Sequence, residues 1–144
     1  MRQLLLGLLT VFLLCPTLVK AQPESAPPAT SEPLPIGTLT SPEVFALFND
    51  KTVFSVTAVQ QRESISYYSP NGEIRQLRND ITRRGHWRIT DFGRICLQME
   101  DLPEKCRIIA KEDGVYKKYI VRKSGSHQHS VSYLNFRDGN PLGL

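Results

Sequence analysis

Two histidines one residue apart, in Ser126-His127-Gln128-His129-Ser130, are the first residues whose type and spacing could do chemistry. In an extended chain, side chains two apart share a face. Both imidazoles would then point the same way and could hold Cu²⁺, Ni²⁺ or Zn²⁺ if a third ligand joined them. His86 is the candidate for that third place. Two ligands alone make a weak site, and no carboxylate is placed to orient the rings. A pair of exposed histidines in a polar loop accounts for the same residues. No other cofactor is implied.

Cys96 and Cys106 are the second pair, with nine residues between them. Redox motifs usually have two intervening residues, and a zinc site would need further ligands in coordinating spacing. In an exported chain an even cysteine count points instead to a disulfide. Closing so short a loop is worth about 2.5–3 kcal/mol of chain entropy, a large share of a small domain's net stability.

Charge and aromatic area offer a third possibility. Arg75, Arg78, Arg83, Arg84, Arg88 and Arg94 run close together in sequence around Trp87. On adjacent strands they could form a face for an anionic envelope component or an acidic protein surface. Arg75, Arg88, Arg94, Tyr67 and Tyr119 are the candidate members of that face. A solvated outer face, with Glu73, Asp80 and Asp91 interspersed, is the plainer reading. Tyrosines mark interfaces but are also ordinary strand residues. Trp87 alternates in phase with Ile89, which assigns it to the core. No nucleophile elbow or zinc-protease helix is present, and Asp91 is explained by the turn it begins. The chain is therefore expected to be non-catalytic.

The elements that must position these residues follow from patterning. Arg2 precedes an apolar run from Leu4 to Leu14, and Val19-Lys20-Ala21 offers a cleavage site. Residues 1–21 read as an export signal, since the run is too short for a comfortable transmembrane helix. Cys15 raises a lipoprotein alternative, but Leu14 before it is larger than lipoprotein processing prefers. Residues 22–38 are proline-rich and aromatic-free, a disordered spacer by composition and unable to join a sheet. Residues 39–144 form a single domain. Losing Arg2 and Lys20 with the signal leaves 16 basic against 14 acidic side chains, net +2. A nucleic-acid binder would show a stronger imbalance.

Within the domain, Ser41 caps a short helix over Pro42–Phe48. Thr52–Gln60 alternates at Phe54, Val56 and Ala58. Ile65–Tyr68 and Glu73–Leu77 flank the turn Ser69-Pro70-Asn71-Gly72. Gly85–Thr90 places Trp87 and Ile89 on one face. Ile95, Leu97 and Met99 share a face opposite Cys96. Strands over 106–111 and 115–121 surround Asp113-Gly114, and 129–136 is the last strand. Such regular spacing predicts a mainly β fold, a small antiparallel meander curled into a barrel or sandwich, with one N-terminal helix and one disulfide.

The order Tyr68/Asn71-Gly72, Gly85-x-Trp87, Gly93/Cys96, Cys106, Gly114/Tyr116 resembles small exported bacterial proteins of the DUF995 type over about residues 39–121. Asn71 stands where that family would have Asp, and the Ser-His-rich ending has no counterpart there. The resemblance implies a cell-envelope location and no catalytic activity. The leading expectation is a periplasmic or secreted protein-binding or envelope accessory module with no membrane span after signal cleavage. The alternatives are metal handling by His127 and His129, and a small lipid or ligand carrier. A carrier needs more interior volume than so short a chain comfortably provides.

Overall fold

The computed structural model describes residues 33–100 and 102–144. The expected export signal, Cys15 and most of the proline-rich stretch lie outside these residues. The described chain is a helix, α1 (Ser41–Phe48), followed by eight strands. These are β1 (Lys51–Thr57), β2 (Glu63–Tyr68), β3 (Glu73–Arg78), β4 (Ile81–Ile89), β5 (Ile95–Met99), β6 (Lys105–Glu112), β7 (Val115–Val121) and β8 (His127–Asp138). Each pairs antiparallel with the next, and β1 pairs with β8, so the meander closes into a barrel. Closure removes the free edges that an open sheet of this size would expose.

Glycine permits two of the sharp features. Gly72, at φ 87°, ends the β2–β3 turn and donates to the Ser69 carbonyl at 3.1 Å. Gly85 lies where β4 and β5 approach closely, and a Cβ there would stand 2.2 Å from the Gln98 carbonyl oxygen. A glycine inside a strand with a backbone this near is a site of close approach.

Antiparallel connections alternate between the two ends of the barrel. The turns after β2, β4 and β6 share one end with α1, and those after β1, β3, β5 and β7 share the other. Here the two are the helix end and the open end. At the helix end, Val44 and Phe48 of α1 are fully buried. The Phe48 ring meets Tyr68, Tyr133 and Phe136 edge-on at centroid distances of 4.9, 5.2 and 5.7 Å. Val53, Ile74, Trp87, Ile95, Ile109 and Val131 complete this core. The Trp87 indole donates to the Ser69 carbonyl at 2.8 Å, which satisfies its polar edge inside the core.

The helix begins one residue earlier than expected, and its cap is Thr40. The Glu43 carboxylate accepts from the Thr40 amide at 2.8 Å and from its hydroxyl at 2.7 Å. Ser41 is used elsewhere: its hydroxyl donates toward the Thr90 and Asp91 carbonyls and accepts from the Gly93 amide at 2.9 Å. That latches α1 to the β4–β5 turn.

Three further expectations are corrected. The end of the spacer is not disordered: Thr38 bridges to Ala110, and Gly37, at φ 75°, accepts from the Lys111 amide at 2.9 Å. Glycine makes a turn there, and no proline occupies the paired positions. In β1 the buried inner residues are Val53 and Ser55, with Thr52 buried on the outer side under the Gly139 carbonyl, to which it donates. Phe54 lies on the outer wall beneath the Arg137 guanidinium at 4.7 Å, so the apolar alternation pointed to the wrong face. The last strand begins two residues earlier than expected, at His127, so both histidines lie on β8.

Among the described residues no helix is long and apolar enough to cross a membrane. The aromatic core inside and the charged residues Arg75, Arg84, Arg88 and Lys117 outside invert the order of a lipid-embedded barrel.

Candidate functional site

The core fills only the half of the barrel next to α1. Toward the open end the inward positions become polar. On β3 the inner phase runs Ile74, Gln76, Arg78. On β6 it runs Arg107, Ile109, and on β7 Tyr116, Lys118. Ser55, Ser64 and Ser66 are buried on β1 and β2. They form a small network: the Ser55 and Ser64 hydroxyls lie 3.0 Å apart, and Gln76 donates to Ser66 at 3.2 Å.

Between these strands lies a pocket of about 180 Å³. That is the share of about six liquid waters. One side is apolar, from Leu97, Met99, Leu102 and Pro103, and the other carries Gln76, Arg78, Lys105, Arg107 and Lys118. Short side chains on β1 and β2 leave the space that the long cationic side chains enter.

Among the described residues these cations have no ion-pair partner. The ion pairs among the described residues are Lys51–Asp138, Arg75–Glu73, Arg88–Glu104 and Lys117–Glu112, and none includes a pocket residue. Arg78 reaches the Ser64 hydroxyl at 3.4 Å, while its buried Nε has no hydrogen-bond partner. Arg107 donates to the Cys106 carbonyl at 2.8 Å. Burial, followed by the charges of Arg107 and Arg78, pushes the Lys118 ammonium down from 10.5 to about 8. Burial also lowers Arg78, with Arg83 and Arg62 adding repulsion, and lowers Arg107. Half-buried like charges with no ion-pair partner among the described residues are costly in the empty protein. An anion placed among them would supply the missing charge.

The sequence-predicted residues are dispersed. Tyr67 and Arg75 face each other across β2 and β3 on the outer wall. Tyr67 donates to Asp50 at 2.9 Å, and Arg75 to the Leu144 carbonyl at 2.9 Å. Arg88 donates to Glu104 at 2.8 Å, which holds that carboxyl below its usual range. Arg94 belongs to the β4–β5 turn at the helix end. Tyr119 lies on β7 and donates to Glu112 at 2.6 Å; burial and then this bond raise its hydroxyl to about 12. These five residues do not share one face.

His127 and His129 stand on β8 opposite Val121 and Tyr119. The His129 Nε2 lies 3.1 Å from the Ser132 hydroxyl, and its ring is 5.8 Å from that of Tyr119. His86 is on β4, a strand bounded by β3 and β5, so the barrel does not bring it to the other two. Cys96 and Cys106 are register partners on β5 and β6, with sulfurs at bonding distance, 1.96 Å. With Glu104 they are the group of metal-type ligands that the described residues bring together, but the sulfurs are joined to each other and Glu104 is paired with Arg88.

Sequence reasoning placed Arg78 on the outer surface and passed over Arg107 and Lys118. Only the strand register, which sets them in phase with Ile74, Ile109 and Tyr116, reveals them. The chain matches no protein-family model, no curated protein and no solved structure.

Proposed function

We propose that this chain is an exported, non-catalytic binding module. It receives a small amphiphilic anion, a carboxylate or phosphate ester with a short apolar part, in the pocket at the open end. The observation that carries this reading is the convergence of Arg78, Arg107 and Lys118, without a carboxylate partner among the described residues, beside the apolar wall of Leu97 and Met99. Ligand sites commonly combine an apolar lining with a few convergent polar groups in the mouth of a barrel. A volume of about 180 Å³ suits a headgroup or short acid better than a whole lipid. This moves the reading from an outer-wall protein interface toward the carrier alternative. The envelope location and the DUF995 resemblance remain parts of the proposal, supported by the apolar N-terminal run and the cysteine pair.

Calorimetric titration with inorganic phosphate and with a short-chain carboxylate tests the reading. Binding to the parent protein should be saturable and should weaken at least about tenfold in Arg78→Gln/Lys118→Gln. Equal heats from a parent and a variant that melt alike would refute it.

A further inference from the structure

The open end has a second property besides its pocket. Its turns and the adjoining strand ends carry exposed apolar side chains: Val59 is 79% exposed, Ile81 57% and Leu102 53%. Val121, the last residue of β7, is also exposed. Among them stand the exposed cations Arg62, Arg83, Lys105, Arg122 and Lys123. The acidic residues of this end are Glu63, Asp80, Glu100, Glu104 and, in sequence, Asp101, and Glu104 is paired with Arg88. The helix end also exposes apolar groups, with Phe92 at 90%, but there the acids Glu43, Asp50, Asp91, Glu112, Asp113 and Asp138 outnumber the cations Lys51, Arg94, Lys111 and Arg137. With the inward Arg78, Arg107 and Lys118 included, the excess of cations lies at the open end.

An apolar rim with charged residues of both signs, around a pocket whose cations have no ion-pair partner among the described residues, matches the layered chemistry of an anionic bilayer surface. Headgroup phosphates lie outermost and attract basic residues, while apolar side chains gain by entering the acyl boundary. The acidic helix end would face away from such a surface. A soluble anion would account for the pocket but not for the exposed Val59, Ile81 and Leu102 around it.

We propose that the open end docks on an anionic phospholipid surface, with a lipid phosphate seated against Arg78, Arg107 and Lys118 and with Val59, Ile81 and Leu102 entering the interfacial layer. This rests on the anion-pocket reading and names its ligand as a membrane-borne phosphate.

The test is co-sedimentation with vesicles of about one part phosphatidylglycerol to three of phosphatidylcholine, compared with phosphatidylcholine alone. The chain is used as its host processes it, and all variants share that N-terminus. Inorganic phosphate binding is measured on the same samples. The parent should bind the anionic vesicles, and added salt should weaken the binding. Ile81→Ser/Leu102→Ser should lose roughly tenfold or more in vesicle binding yet keep its phosphate affinity. Arg78→Gln/Lys118→Gln should lose both. Phosphate binding without vesicle binding would overturn docking and leave the pocket standing. Vesicle binding that survives both pairs of substitutions would also overturn docking at this end. Neither binding in the parent would overturn both readings.

Discussion

Replacing Lys118 with Met should make the empty protein more stable. Lys118 sits on the inner face of β7, level with Val131 of β8 and Ile109 of β6, with Arg107 and Arg78 nearby. The fall of its ammonium from 10.5 to about 8 measures the bias of this site against the charged form. At about 1.4 kcal/mol per pH unit, that bias is about 3 kcal/mol. The folded value lies below the unfolded one, so between about 8 and 10.5 the unfolded chain binds more protons. Stability from this group therefore rises with pH through that window, and the full penalty is present below about 8. Methionine has a similar unbranched stem and no charge, so Lys118→Met should gain roughly 1–3 kcal/mol at pH 7 and little at pH 10. Urea unfolding of parent and variant across this range reads the difference directly, and other titrating groups cancel in it. A variant less stable at pH 7, or a difference that does not change with pH, would refute the claim of an uncompensated inward cation. The same protonation governs ligand binding, so phosphate affinity should decline above about pH 8 in the parent.

Further outcomes follow from the packing. Gly85→Ala should cost about 2 kcal/mol or more in urea unfolding, because the new methyl meets the Gln98 carbonyl, which β5 cannot easily move. An unchanged midpoint would show that β4 and β5 are not in such close contact. Cys96→Ser/Cys106→Ser should lower stability by about 2–4 kcal/mol relative to the oxidised parent, with no effect once the parent is reduced. Phe48→Ala empties the aromatic plug at the helix end and should cost about 3–5 kcal/mol in the same assay. If α1 were dispensable, that loss would be absent and thermal melting would hardly move.

Where local chemistry decided structure, the sequence was readable. The β2–β3 turn needs Asn-Gly geometry, and it forms where Asn71-Gly72 stands, with Asn71 accepting from the Glu73 amide at 3.0 Å. Trp87, Ile95, Leu97 and Met99 took the faces their alternation assigned, because the inward positions of β5, and those of β4 from Gly85 to Ile89, are apolar or glycine. Closure of the sheet was expected as one of two outcomes, and β1–β8 pairing decides for the barrel. The site was less readable. An inward-facing Arg or Lys breaks the apolar alternation that identifies an inner face. In the strand over 105–112, Arg107 reads as a surface residue until the register with Ile95 is known. The outer wall misled in the opposite direction: Phe54 reads as core, yet Arg137 covers it from a strand distant in sequence. Contacts between residues so far apart leave no mark on a local pattern.

The seam between β1 and β8 bears on how this chain comes to its native state. Every other strand pairing joins sequence neighbours, whereas Lys51 meets Asp138 across almost the whole domain. Hairpins such as β2–β3 can form as soon as both arms exist, and the cysteine pair closes only a short loop. The barrel itself cannot close until its final strand is available, and loop closure over that span makes this the slow, entropically costly step. A chain emerging N-terminus first from synthesis would therefore remain an open sheet until the last residues arrive. For that interval the unpaired outer side of β1 would be exposed to any neighbouring strand, and residues 127–138 would act as the lock that ends the exposure.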